Sequence, residues 1–155
     1  MRKFIKRSVI VVAVLLVLIQ VIRPARTNPP IDQTRTIEAR MQMPEEVGML
    51  FDMSCSDCHS YETKWPWYSK VAPVSWLLWS DVQEGRSAMN LSDWAQYDSR
   101  RENEKLGNIE KLVSRGVMPL WQYRLMHREA GLSPDDVKLL VEWTRAERQR
   151  NAAKP

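Results

Sequence analysis

The sequence predicts an all-α protein in which one apolar N-terminal helix precedes a single small helical domain. Three observations carry that prediction. Beyond the leading segment, apolar positions recur every three or four residues behind helix-start signals; no stretch alternates convincingly with period two; and Val9 to Val21 is apolar except for Gln20. At 155 residues the chain holds one ordinary domain once that leading segment is set aside.

Residues 1–22 read as a signal anchor, a single transmembrane helix. Arg2, Lys3, Lys6 and Arg7 precede the apolar run and account for the whole net charge of +4, since the other 19 basic residues (23 less these four) balance 19 acidic ones. A domain so balanced lacks the clustered cations that neutralise phosphates, which argues against nucleic acid as a partner. Only a poor small-residue pair, Ala25 and Thr27, follows the run, and this favours an uncleaved anchor over a removed signal peptide. Ser8 to Ile22 supplies about 22 Å of helix against a hydrocarbon core of about 30 Å. Phe4 and Ile5 lengthen the apolar stretch, with Lys3, Lys6 and Arg7 snorkelling to the interface. Positive residues stay cytoplasmic, so the expectation is a single-pass inner-membrane protein with its C-terminal domain in the periplasm.

Residues 23–36 contain Pro24, Pro29 and Pro30 and no hydrophobic period, which predicts a stiff extended linker holding the domain off the membrane. The domain is expected over 37–150. Pro44-Glu45-Glu46 reads as a first helical turn, with Val47, Leu50 and Phe51 at helical spacing, and this helix runs into the cysteine pair. Tyr61 to Pro73 is aromatic and proline-rich, hence irregular. Pro73 opens a helix through about Met89, with Val74, Leu77, Leu78 and Val82 on one face. Asn90 to Trp94 reads as a cap and turn. Ser99 is a candidate cap for a helix carrying Leu106, Ile109, Leu112 and Val113, and Gly116 stands where a left-handed C-terminal residue is wanted. Val117-Met118-Pro119 is then a loop. Ser133-Pro134-Asp135-Asp136 combines an N-cap, a proline at the first position and a capping-box acid, with Val137, Leu140, Val141 and Thr144 as the buried face that follows. Four shortish helices with long connections leave a deficit of regular packing, which an apolar prosthetic group would fill.

The chemistry is concentrated in Cys55-Ser56-Asp57-Cys58-His59. Structural disulfides normally join cysteines distant in sequence, so this pair reads as a site rather than a staple. C-x-x-C-H is the haem attachment signature: two thiols add across the vinyl groups of the porphyrin, and the adjacent histidine reaches the iron from the same side. A dithiol redox pair uses the same cysteine spacing but expects a βαβ context, which the chain does not offer. A zinc site could use Cys55, Cys58 and His59 with His127 as a distant fourth ligand, but three ligands within five residues crowd a tetrahedron. The reading is therefore a small cytochrome c-like domain around one covalent haem c.

The stretch CSDCHSYETKWPWYSKVAPVSWLL, the Gly116-Val117-Met118-Pro119 turn, Asn28-Pro29-Pro30 after the anchor, and the ending YRLMHREAGLSPDDVKLLVEW together resemble the bacterial haem-binding-domain family of membrane-anchored monohaem c-type cytochromes. The resemblance covers Asn28 to Trp143 and departs at Leu120, where a second proline is expected. It implies covalent haem and export. For the second axial iron position the order of preference is Met118, then His127, then an open or water-bound site. Trp65, Trp67, Tyr68 and Trp121 are candidates for packing on the porphyrin; alternatively, Trp65 to Tyr68 form an exposed docking surface for a redox partner. No nucleophile with a base and no carboxylate pair suggests hydrolysis, so an electron carrier with redox partner proteins in the periplasm or membrane is expected rather than an enzyme. Its rivals are a haem-based sensor or small peroxidase with a vacant distal site, and a subunit whose haem only supports folding.

Overall fold

The computed structural model describes residues 1–153 and is helical throughout its ordered elements, with no strand among the described residues. The elements are α1 (Arg2–Leu18), extended by a 3-10 turn at Ile19–Val21, then α2 (Ile37–Arg40), α3 (Glu45–Ser54), α4 (Ser56–His59), α5 (Val74–Ala88), α6 (Ser99–Ser114), α7 (Trp121–Met126) and α8 (Pro134–Ala152). Further 3-10 turns lie at Trp67–Lys70, Leu91–Gln96 and Arg128–Ala130.

α1 stands clear of the domain and buries none of its residues. Arg2–Val21 forms a helix of 20 residues, long and apolar enough to cross a membrane and within the 1–22 that the sequence suggested. At 1.5 Å per residue that is about 30 Å, which removes the shortfall expected from the apolar run alone.

α6 and α8 form the most extensive helix pair and run antiparallel: Glu102 on α6 meets Asn151, and Glu110 meets Arg145 and Arg148. Leu106, Ile109 and Val113 face Leu140 and Trp143, and α3 closes the core with Val47, Leu50 and Phe51, the Phe51 ring standing edge-on to Trp143 at 5.4 Å. The Trp143 indole N–H is satisfied by Gln42 O at 3.0 Å. Trp94, fully buried, stands edge-on to Tyr97 at 5.4 Å in the same core.

Several boundaries differ from expectation for identifiable reasons. Pro44 is the N-cap of α3 rather than its first helical residue, since its ψ of 151° is extended. Asp98, not Ser99, caps α6, because the longer acidic side chain accepts from Arg101 N at 2.8 Å. In α8 the buried face turns toward Trp143, Thr144 and Glu147, leaving Val137 and Val141 half-buried, because the helix must seat Trp143 against Phe51. In α5 the inward residues are Ser75, Val82 and Gly85, whereas Val74 and Leu77 are exposed: small residues let the helix approach its neighbour closely.

Residues 23–36 are not a free spacer. They lie along the domain as a strap, with Arg26 reaching Ser69, Asn28 Nδ2 donating to Thr63 O at 2.9 Å, and Arg35 paired with Asp93 at 2.6 Å. Arg86 from α5 grips the strap through Thr27 O at 3.0 Å and Asn28 Oδ1 at 2.9 Å. Periodicity could not reveal this, because the contacts are polar and more than thirty residues apart in sequence.

The α8 start is a complete capping box, with Asp136 N donating to Ser133 Oγ and Ser133 N to Asp136 Oδ2. Ser133→Ala is expected to cost about 1 kcal/mol, read as a shift of the denaturation midpoint with the slope unchanged. The same hydrogen bonds hold the Asp136 carboxyl below its ordinary range. Its contribution is therefore complete above the ordinary carboxylate range and is lost as pH falls through the depressed value, an acid limb that Asp136→Asn should flatten.

Candidate functional site

α3 delivers the motif directly, because Cys55 closes α3 with a bond to Phe51 O at 2.9 Å and at the same time caps the single turn of α4. Cys58 N and His59 N both return to Cys55 O, at 3.2 and 3.0 Å, so the two thiols and the imidazole are carried on one tight turn. Both cysteines are free and half-buried. Burial pushes each thiol up to about 12, helped at Cys58 by the acids Asp81 and Asp57 and opposed by Arg86. Burial thus disfavours the thiolate form at both positions.

His59 is held from behind. Its Nδ1 donates to Gly85 O at 2.8 Å and Met89 O at 3.1 Å, both at the end of α5. Carbonyls only accept, so Nδ1 carries the proton and Nε2 keeps its lone pair free. Burial also lowers the His59 pKa, which keeps the ring neutral. A neutral imidazole with its far nitrogen anchored on backbone is the state of a metal ligand supported by its outer shell.

The anchoring requires α5 to lie on α4 at backbone distance. A Cβ added at Gly85 would fall 2.4 Å from Cys58 O, so only glycine fits. Around the turn, Thr63 Oγ1 donates to Asp57 O at 2.7 Å, Lys64 N to Asp57 Oδ1 at 2.9 Å, and Tyr123 Oη to Asp57 Oδ2 at 2.7 Å. Arg86 Nε donates to Ser60 O at 2.8 Å, so the residue beside Gly85 joins the motif to the strap.

Met118 follows a helix end built from main chain. Gly116 takes φ of 64°, Gly116 N bonds Val113 O at 3.0 Å, and Val117 N bonds Leu112 O at 3.0 Å, which is the Schellman pattern the glycine predicted. The half-buried Met118 packs against the same core cluster as Cys55, and a cis bond joins it to the buried Pro119. His127 has both ring nitrogens occupied: Nδ1 donates to Glu129 Oε1 at 3.3 Å and Nε2 accepts from Tyr68 Oη at 2.8 Å, with Tyr123 stacked on the ring at 4.4 Å. Tyr68 therefore reaches the motif through His127, Tyr123 and Asp57. Trp65 donates to Asn28 Oδ1 at 3.3 Å, while Trp67 and Trp121 are 73% and 67% exposed. Among the described residues no three of His, Cys, Asp and Glu converge as a metal cluster, so the zinc alternative finds no fourth or third ligand in place. A groove of about 510 Å³ between the α3 start and α8 includes no residue of the motif.

The haem-binding domain family matches residues 14–146, a span that contains the whole motif, Met118 and most of α8. The chain belongs to the haem-binding domain family. No curated protein and no solved structure matches it. The residues of this haem-binding domain fit the group on their own chemistry: two free thiols, an imidazole with a bare Nε2, and a soft thioether on the same core. Sequence reading named Cys55, Cys58, His59 and Met118 but missed Gly85, Arg86, Asp57 and Tyr123. A glycine in the middle of a helical pattern was the available signal for Gly85.

Gly85→Ala should force α5 off the motif and lower stability by about 1–3 kcal/mol. The measurement is the denaturation midpoint together with haem content per chain, and both should fall; an unchanged protein would mean that the α4–α5 contact yields easily.

Proposed function

We propose that this haem-binding protein is a monohaem c-type cytochrome, a one-electron carrier rather than an enzyme, held by an uncleaved α1 in the inner membrane with its domain in the periplasm. The observation that supports this best is His59, whose Nδ1 bonds to Gly85 O and Met89 O leave Nε2 unprotonated beside two thiols. Each thiol would join the ring by adding S–H across a vinyl double bond, the sulfur to one carbon and the hydrogen to the other, with no oxidant needed. Bound haem supplies the ferrous–ferric couple.

The chain's own residues set how that couple behaves. His59 Nε2 and the Met118 thioether are the two donors that would hold the iron, and a thioether favours the ferrous state and raises the potential. His127 is a poor rival, since using its Nε2 as a ligand would strip the Tyr68 hydroxyl of its acceptor. The Asp57–Tyr123 and Arg86–Ser60 bonds hold the attachment turn rigid, so little need reorganise as an electron passes. Its partners on this reading are redox proteins of the periplasm or membrane.

Two experiments test the reading. Protein made with the haem-attachment machinery and then denatured should keep haem on the polypeptide in a gel, and Cys55→Ala with Cys58→Ala should lose it; one zinc per chain in place of haem would sink the proposal. The oxidised protein should also show the weak far-red band of methionine–iron ligation. Met118→Ala should abolish that band, lower the potential and admit carbon monoxide to the ferrous iron, while His127→Ala leaves all three nearly unchanged. A wild-type protein that already binds carbon monoxide avidly would point to a sensor or peroxidase instead.

A further inference from the structure

Gln20 is the one polar residue of the apolar run, and its amide is committed to the domain. Nε2 donates to Ala72 O at 3.0 Å, and Oε1 accepts from Ala72 N at 3.0 Å. Close by, Trp76 Nε1 donates to Ile22 O at 2.9 Å. The end of the anchor and the start of α5 are thus clasped by three hydrogen bonds, two of them closing a ring on the N–H and C=O of one residue, Ala72.

The clasp fixes a height. A helix from Arg2 to Val21 spans about 30 Å, the thickness of the hydrocarbon core, so its end at Gln20 to Ile22 lies at the headgroup level. Ala72 and Trp76, bonded to those residues, lie at the same level. Flanking them, Val71 is 44% and Val74 41% exposed, Pro73 is exposed, and Lys70 and Arg23 carry charge beside them. The attachment motif is too distant to cover this edge: eleven residues part Val74 from Gly85, where α5 meets Cys58, or about 16 Å along the helix axis. A half-exposed indole with its N–H bonded, short apolar side chains and cations at the rim are the composition of a membrane interface.

We propose that Val71, Pro73 and Val74, with Trp76, form a membrane-docking face that rests in the headgroups beside the anchor. The occupant is the outer surface of the bilayer that α1 crosses, so the inference rests on reading α1 as a retained anchor. The domain then does not swing on a tether; one defined face looks down and the haem-attachment end of α5 is carried at a set distance.

The test uses the reduced holoprotein in vesicles of phosphatidylethanolamine and phosphatidylglycerol. Nitroxides are placed by Val71→Cys and Val74→Cys, with Leu15→Cys and Glu104→Cys as references and labelled wild type as the blank. Collision with a water-soluble nickel chelate should be several-fold lower at 71 and 74 than at 104, and collision with oxygen should approach the value at 15. Water-like values at 71 and 74 beside a lipid-like value at 15 would overturn the docking and leave the anchor standing. A water-like value at 15 would remove the anchor and the docking together. Gln20→Ala with Trp76→Phe should raise nickel access at 74 several-fold while the visible haem spectrum stays the same; no rise would overturn the clasp as the device that sets the height.

Discussion

The site depends on one contact, the approach of α5 to α4 at Gly85. Any side chain there would strike the Cys58 carbonyl, and without the contact the Gly85 and Met89 carbonyls could not reach His59. A single missing methyl group thereby fixes the tautomer of an imidazole, because two acceptors on one side of the ring force its proton to that side. The buried pairing of α6 with α8 and the Phe51–Trp143 contact form the frame on which α3 presents the motif, but they do not themselves touch His59. Stability and chemistry thus meet on one core, against which Cys55 and Met118 pack and of which Met89 is a member.

What could be read from the sequence divides into helix ends and helix faces. Local signals were dependable at several helix ends, where the physics is local: the capping box at Ser133, the left-handed Gly116 and the Asn90 cap all depend on residues within one turn of each other. Faces were less dependable. The stripe of Val74 and Leu77 looked like a buried face of α5, yet the residues that pack inward are Ser75, Val82 and Gly85, because close backbone approach selects small side chains that hydrophobicity does not flag. The strap was misread for a related reason, since proline-rich sequence without a period says nothing about side-chain bonds to Ser69, Thr63 and Arg86.

Arg86 shows how much a non-apolar residue can organise. Its guanidinium reaches Ser60 O, Thr63 Oγ1, Thr27 O and Asn28 Oδ1, and its charge lies 5.3 Å from the centre of the Tyr61 ring. The planar fork suits this role because its five donors point in fixed directions, whereas a lysine ammonium would serve fewer of these acceptors at once. The strap, the turn after the motif and α5 meet on that one side chain. On the opposite flank Asp57 does similar work through Lys64 N and Tyr123, so the turn of the motif is gripped from two sides by polar bonds while Cys55 packs against the apolar core.

The order of residues along the chain gives the Gly85 contact a temporal side. A polypeptide that emerges N-terminus first presents Cys55, Cys58 and His59 well before Gly85 and Met89 follow. During that interval the imidazole has no carbonyl to bond, either nitrogen can carry the proton, and both thiols face water. Once α5 arrives and closes on Cys58, the ring is locked and the thiols are shielded. The close packing that perfects the finished site therefore also shields the turn, which is open to large molecules only until α5 has packed on Cys58.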